Sequence, residues 1–205
     1  MKEKIKYLIP FIICLAIFSV IFFCNGLYPF GSDPITHIDT DYIYIPTLYK
    51  IWDFLHHGGN IFYSDIGLGN SIYASLMIQG SLYSPLNLLL YFVKRDNIIY
   101  FFNVFIMIKI CLIAVTSYIY IDKKYNKIHE LYKIIFSILY TFNGFILFNY
   151  FNQMWLDIVI LFPLLALYLD KLLNNENDLG YIIVLALMFI ITFYFSYFVL
   201  IFIII

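Results

Sequence analysis

The stretch IIYFFNVFIMIKICLIAVTSYIYIDKKYNKIHELYK, residues 98–133, decides the fold of this chain. Residues 98–121 are almost entirely apolar and outnumber the roughly 20 residues that a helix needs to cross a bilayer. Residues 122–133 then carry lysines at Lys123, Lys124, Lys127 and Lys133. Because lysine-rich loops stay on the cytoplasmic side, the stretch predicts a membrane-spanning helix that ends at the cytoplasmic face.

The composition indicates an integral membrane protein. Of the 205 residues, 63% are hydrophobic and 12% are charged, and the mean hydropathy is +0.89. A soluble domain cannot cover so much apolar surface. The net charge of −1 points to no particular partner, and we expect the lipid bilayer and no nucleic acid. Cys14, Cys24 and Cys111 lie in apolar segments, so we predict no disulfide.

Hydropathy predicts an all-α, polytopic bundle with about five spans, at 7–26, 98–121, 134–150, 156–171 and 181 to the end. Lys2, Lys4 and Lys6 precede the first span and favour a cytoplasmic N-terminus. The first span resembles a signal peptide, but its apolar core is long and no small-residue cleavage site follows. The turn between spans three and four is placed at 149–157, and Asp178 is a helix-capping candidate in the following turn.

Residues 27–97 are predicted to form one large external loop. Within it, TLYKIWDFLHHGG (47–59) has helical spacing and predicts an interfacial helix over 46–55. Residues 71–93 fit either a single crossing or short helices that dip into the membrane. A single crossing would place the basic segment 122–133 outside, so the charge bias favours a re-entrant or interfacial segment.

Two acids in HIDTDYIYIPTLY (37–49) are the catalytic candidates, Asp39 and Asp41. In a partly dry site a carboxylate acts as a general base or holds a metal. The alternatives are a solvated loop or an N-cap for the following helix. A divalent metal stays open, because D-x-D alone does not define a metal site. His56 and His57 lack zinc-site spacing and are expected at the surface.

Four further residues are candidates for substrate binding. Asp157 lies near the outer end of a span, where it faces water, a metal or a cation, or is favoured by the helix dipole. Lys109 lies in mid-helix and is expected in the bundle interior, paired or facing water. Gln153, in a group of amides, either binds a polar ligand or marks the interface. Tyr44 is a candidate for stacking on a sugar. The predicted topology puts Asp39 and Asp157 on the same side, facing one cavity.

Several segments resemble, in order, those of the YfhO family of bacterial membrane proteins. They are DTDYIYIP (39–46), FYSDIGLGNS (62–71), LYSPLNLLLYF (82–92), IKICLIAVTSYIY (108–120), NQMWLDIVILFPLLAL (152–167) and ITFYFSYFVLIF (191–202). The resemblance covers most of the chain. Family members are much longer, so it implies that residues 1–205 form one transmembrane domain that holds the first five helices.

The resemblance implies a GT-C-like glycosyltransferase that takes a sugar from a polyprenyl-phosphate carrier and transfers it to a cell-envelope polymer such as lipoteichoic acid. Asp39 best matches the family's acid in the first external loop, and Asp41 is an additional acid. Ile43 stands where the family often has Gln before the tyrosine. Asp39 would deprotonate the acceptor hydroxyl, and Lys109 or a metal would offset the charge of the leaving phosphate.

Two alternatives to an enzyme remain. A non-catalytic module, such as part of a transporter or flippase for lipid-linked sugars, would have the same hydropathy but would turn over no carrier-linked sugar. A gene fragment without activity is the other, and five helices alone are expected to be inactive. Turnover of the carrier-linked sugar by the full-length protein discriminates the enzyme from both.

Overall fold

A computed structural model describes residues 5–36, 39–59, 83–176 and 179–204. All regular secondary structure in these ranges is helical, as predicted, and the elements follow in the order α1 Leu8–Cys24, a π-helical turn Thr40–Tyr44, α2 Ile45–His57, 3₁₀ helices Pro85–Phe92 and Arg95–Asn97, α3 Ile98–Lys124, α4 Glu130–Thr141, α5 Gly144–Asn149, α6 Gln153–Leu173, α7 Leu179–Ile191 and α8 Phe193–Ile204. Three predictions fall wholly or partly outside these ranges. They are the segment 62–71, the segment 71–93, of which 71–82 are not described, and the cap Asp178.

Helix α3 is the centre of the bundle. It packs against α1, α2, α4 and α6, and large side chains such as Phe102, Ile106 and Ile110 are fully buried. A helix that is apolar on all sides is stable only inside a larger apolar assembly. A second group of buried side chains, which includes Leu165 and Met188, joins α6 to α7.

Helices α1 and α3 are antiparallel, so the bundle has two ends. Tyr7, just before α1, donates a hydrogen bond to Asp122 near the end of α3. Tyr28, just after α1, packs on Tyr100 near the start of α3. We call these the basic end and the loop end, respectively. Helix α1 therefore ends, and α3 begins, at the same end of the bundle.

The basic end is held together by a buried carboxylate. Asp122 accepts hydrogen bonds from Lys6 and Lys133, each with a nitrogen–oxygen distance of 2.7 Å. Lys133 was expected in the basic loop 122–133, and this is wrong: α4 begins at Glu130, and Lys133 is buried against Asp122 and Glu130. The buried charge of Asp122 is tolerated because lysines from two neighbouring segments neutralise it.

The predicted third and fifth helices are interrupted. Asn143 separates α4 from α5 by accepting the Ile146 N–H at 3.1 Å, as an N-cap does. Thr192 separates α7 from α8, where the Ser196 hydroxyl donates to the Thr192 carbonyl at 2.6 Å. Such a bond to the preceding turn bends helices. The predicted turn 149–157 is shorter than expected, because α6 begins at Gln153.

A buried amide ties the first loop to the bundle. The Asn103 side chain in α3 accepts the Ile35 N–H at 2.8 Å and donates to the carbonyls of Tyr28 and Asp33. The turn it holds is tight, since a Cβ at Gly31 would lie 2.1 Å from the Gly26 oxygen. Asn103 thereby sets the path of the chain that leads to Asp39.

A helix is present where the sequence predicted one over 46–55, and it is longer than predicted. It runs over Ile45–His57 and continues directly from the π-helical turn. Its Trp52 indole N–H donates to the Val93 carbonyl at 2.7 Å, which joins it to the end of the 3₁₀ helix Pro85–Phe92. The final residues of the predicted segment 71–93 thus lie along α2 at the loop end.

Among the described residues, two helical stretches are long and apolar enough to cross a membrane, Arg95–Lys124 and Glu130–Asn149. Helices α1, α7 and α8 are shorter apolar helices. Large apolar side chains also cover the outside of the bundle, with Phe148 82% and Phe202 70% exposed. Such surfaces are typical of protein that faces lipid. The helical, apolar architecture is that of a membrane protein.

Candidate functional site

A buried ion pair lies at the centre of the candidate site. The Lys109 ammonium of α3 is 2.8 Å from the Asp157 carboxylate of α6, and both side chains are buried. Lys109 also donates to the Gln153 carbonyl at 2.9 Å and lies over the Phe105 ring. Removing one member of such a pair would leave an uncompensated charge in an apolar bundle. Lys109 therefore lies in the interior, as predicted.

The pair is recessed below the loop end. Since a helix rises about 1.5 Å per residue, Lys109 lies roughly 16 Å along α3 from Ile98. Helix α6 begins at this depth, because its first residue, Gln153, is bonded to Lys109. The preceding helix, α5, ends at Asn149. In the chain between α5 and α6, Asn152 is buried, so its polar side chain needs partners.

Two side chains of the first loop reach this recess. The Ser84 hydroxyl donates to the second oxygen of Asp157 at 3.1 Å. The Tyr44 hydroxyl donates to the Asn152 side-chain oxygen at 2.6 Å, and the Tyr44 ring stacks on Phe102. Because Asn152 is followed directly by Gln153, these two contacts hold the loop against the beginning of α6.

The structure places the two candidate catalytic acids differently. Asp39 is half-buried at the start of the π-helical turn, and it makes no hydrogen bond or ion pair with any residue that the structure describes. Asp41 is exposed. Burial raises the pKa of the Tyr44 hydroxyl, and the negative charge of Asp39 raises that pKa further. Asp39 therefore lies near enough to Tyr44 for its charge to act on the hydroxyl.

Two of the buried polar side chains that lack partners among the described residues belong to the segments joined at this recess. Both amide atoms of Gln153 and the hydroxyl of Thr40 are buried without a hydrogen bond. Buried polar groups are normally paired, so unpaired ones mark the place of a ligand or of water. Gln153 and Thr40 come from the two segments that the Tyr44–Asn152 hydrogen bond joins.

The described residues do not make a metal site. Within the described ranges, no group of three or more His, Cys, Asp or Glu side chains is close enough to hold an ion. Asp39 and Asp41 differ in burial and have no third carboxylate or histidine beside them in these ranges.

The chain matches the family model of the bacterial membrane protein YfhO over residues 10–205. It belongs to the YfhO family. The predicted family is therefore confirmed, together with the membrane character that its description states. No curated protein and no solved structure matches the chain.

Sequence reasoning found most of these positions but not all of their contacts. It picked out Lys109, Asp157, Gln153 and Tyr44, which the structure brings to one recess either directly or through Asn152. It assigned no role to Ser84 or to Asn103. A single asparagine within an apolar helix was the available signal for Asn103, because such a residue needs partners inside the bundle.

Proposed function

We propose that this YfhO-family protein is a GT-C-like glycosyltransferase. It takes a sugar from a polyprenyl-phosphate carrier in the bilayer and transfers it to a cell-envelope polymer such as lipoteichoic acid. The observation that carries this proposal is the recess at the beginning of α6. There the Asp39 carboxylate and the buried polar groups of Thr40 and Gln153 have no hydrogen-bond partner among the described residues. A hydroxyl-rich ligand matches such groups.

The proposed orientation follows from the positions of the lysines. The basic end, with Lys6, Lys124 and Lys133, is cytoplasmic. The loop end, with segment 27–97, then faces the outside, where the polymer is. Five spans result: α1, α3, α4 with α5, α6, and α7 with α8.

Asp39 is the proposed general base. Its carboxylate has no partner among the described residues and is therefore available to an acceptor hydroxyl. Asp39 takes the hydroxyl proton, and the acceptor oxygen forms a bond to the anomeric carbon of the sugar. The bond from that carbon to the phosphate oxygen breaks, and the polyprenyl phosphate leaves with the electron pair. Asp41, which is exposed, is assigned to the entrance where the acceptor arrives.

Gln153 and Thr40 are the proposed contacts to the donor. Their buried, unpaired groups suit sugar hydroxyls or phosphate oxygens. Gln153 is the first residue of α6, so the positive end of the helix dipole favours the developing charge of the leaving phosphate. Lys109 is already paired with Asp157, and it acts here by holding the Gln153 carbonyl.

Transfer of a labelled sugar from carrier to acceptor by the full-length protein in liposomes tests the proposal. We expect Asp39→Asn to reduce the rate by at least about 100-fold, as loss of a general base does. The matched control Asp41→Asn should retain most of the rate. A normal rate in Asp39→Asn removes Asp39 as the base. Movement of the lipid-linked sugar across the bilayer without transfer would favour the flippase alternative.

A further inference from the structure

An apolar groove of about 380 Å³ lies between α1 and the α4–α5 segment, toward the loop end of the bundle. Phe18 and Phe142 stack at its inner end, with ring centroids 5.6 Å apart. Phe22 of α1 and Ile146 of α5 line its walls. Ligand sites usually have volumes of roughly 300–1,000 Å³, so the groove is large enough to hold part of a ligand.

The break between α4 and α5 forms this groove. Helices α1 and α4 pack against each other, and Phe142, directly after α4, stacks on Phe18 of α1. Asn143 then has an extended backbone, and its side chain accepts the Ile146 N–H at 3.1 Å. A helix that restarts after an extended residue changes direction, so α5 diverges from α1 and leaves a cleft beside Phe22.

The groove opens toward the lipid-facing surface. Phe22 and Ile146 are buried on its walls, whereas Ile21 is 38% and Leu147 is 49% exposed at its rim. The rim belongs to the apolar outer surface of the bundle, which meets hydrocarbon chains in a bilayer. A ligand therefore enters this groove from the bilayer, and a hydrocarbon chain matches its lining.

The inner end of the groove lies at the depth of the buried ion pair. Helices α1 and α3 are antiparallel, and Tyr28 packs on Tyr100 at the loop end. Phe18 precedes Tyr28 by about as many residues as Ile110 follows Tyr100, so Phe18 and Ile110 lie at a similar level. The groove thus runs from the level of Lys109 toward the loop end, alongside the recess.

The wall of the groove continues into the candidate site. Tyr150, directly after α5, lines the groove. Asn152 follows shortly after and accepts the hydrogen bond from Tyr44. Gln153 comes next, and its buried amide atoms have no partner among the described residues. A molecule with a hydrocarbon chain and a polar end can therefore contact the groove and Gln153 through this one short segment.

We propose that this groove holds the polyprenyl chain of the carrier while the carrier's phosphate lies at Gln153. The inference rests on the proposed function, because that proposal supplies the phosphate at Gln153. A single cleft that leads to one polar recess suits a lipid with one chain and a phosphate at its end. A common phospholipid instead carries two chains on one headgroup.

Packing rather than the hydrophobic effect selects the chain. The chain lies in hydrocarbon both before and after it enters the groove, so removal from water contributes little. The faces of Phe18, Phe22 and Phe142 offer a methyl-branched, unsaturated chain many dispersion contacts. We therefore expect a moderate preference over bulk lipid, about tenfold, which corresponds to roughly 1.4 kcal/mol.

Photo-crosslinking tests whether the chain lies in the groove. The full-length protein carries photoreactive benzoylphenylalanine in place of Phe142, in phosphatidylcholine liposomes with a trace of radiolabelled polyprenyl phosphate. The matched control carries it in place of Phe148, which is 82% exposed and does not line the groove. We expect about tenfold stronger labelling at position 142, in line with the preference over bulk lipid.

Competition identifies the occupant in the same experiment. Unlabelled polyprenyl phosphate should displace the label at position 142, and the same amount of phosphatidylglycerol should not. Equal labelling at positions 142 and 148 overturns the proposal. Equal displacement by phosphatidylglycerol also overturns it, because the groove then holds chains of any membrane lipid.

Narrowing the groove tests its use in sugar transfer. Leu147→Trp places a larger side chain at the rim, and Leu139→Trp is the matched control, since Leu139 is 61% exposed on α4 outside the groove. We expect Leu147→Trp to raise the KM for the carrier-linked sugar about fivefold with little change in kcat, as loss of uniform binding does. Leu139→Trp should leave both constants near those of wild type.

The two experiments separate this inference from the proposed function. Sugar transfer with an unchanged KM in Leu147→Trp overturns the groove as the site of the chain and leaves the transferase proposal intact. Specific labelling at position 142 without any sugar transfer by the wild-type protein supports the groove and overturns the transferase proposal.

Discussion

Lys109 and Asp157 form a 2.8 Å ion pair between α3 and α6, with both side chains buried. The pair joins two parallel helices in the middle of the bundle, and it also fixes the beginning of α6 through the Gln153 carbonyl. A charge pair in this position stabilises the fold only while both members are present.

Loss of one member of this pair should be costly. We expect Lys109→Met and Asp157→Leu each to lower the free energy of unfolding by about 3–5 kcal/mol, because each leaves a single buried charge. The double variant should recover most of this loss. Unfolding of each purified variant by a denaturing detergent measures its free energy of unfolding.

The control for the ion pair is Lys124→Met, since the Lys124–Asp170 pair is partly exposed at the basic end. Such pairs contribute about 1 kcal/mol or less. Equal losses of free energy of unfolding in Lys109→Met and Lys124→Met would contradict the larger contribution assigned to the buried pair.

The Tyr44 hydroxyl should stabilise the protein through its hydrogen bond to Asn152. Tyr44→Phe leaves the buried Asn152 oxygen without its 2.6 Å donor, which costs about 1–3 kcal/mol. We also expect sugar transfer to slow, because the loop that carries Asp39 loses a contact to α6. Tyr42→Phe is the control, since Tyr42 is 81% exposed. Similar stability of the two variants would contradict the assigned contact.

Asn103 should be needed to keep the first loop on the bundle. Asn103→Leu removes the partner of three backbone groups, at Tyr28, Asp33 and Ile35. We expect a loss of at least about 2 kcal/mol and faster proteolysis within residues 25–36. Asn126 lies in the exposed turn between α3 and α4, so Asn126→Leu should change neither the stability nor the rate of proteolysis. Unchanged proteolysis in Asn103→Leu would speak against this role.

The tight turn after α1 should admit no side chain at Gly31. A Cβ there meets the Gly26 carbonyl at 2.1 Å, and backbone must move to relieve the contact. We expect Gly31→Ala to destabilise the protein by about 1–3 kcal/mol. Gly144→Ala is the matched control, because no atom lies within 4 Å of its added Cβ. Equal melting temperatures for the two variants would refute the close approach.

Labelling of single cysteines in intact cells tests the proposed orientation. In a background without Cys14, Cys24 and Cys111, a membrane-impermeant maleimide should react with Tyr42→Cys at the loop end. Lys127→Cys, at the basic end, should react only after the membrane is opened. The reverse pattern would place the site on the cytoplasmic side and remove the outer-face transferase proposal.

Hydropathy and charge were sufficient for the helices but not for their interruptions. The apolar run of α3 and the lysines after it predicted a helix and the end at which it finishes, because both properties are local. The breaks at Asn143 and Thr192 depend on single hydrogen bonds to neighbouring turns, which hydropathy does not register. Lys133 was misplaced for the same reason, since its burial depends on Asp122 from another helix.

The helical class, the membrane character, the family and the residue types of the site all follow from local sequence patterns. Lysine, aspartate and glutamine in apolar helices already indicate that these residues must find partners, because a bilayer offers none. Only the tertiary structure decided which partners they find. It paired Lys109 with Asp157, brought Ser84 and Tyr44 down from the loop, and left Gln153 and Thr40 without partners among the described residues. These contacts join residues far apart in the chain, so they follow from how the helices pack rather than from any local pattern.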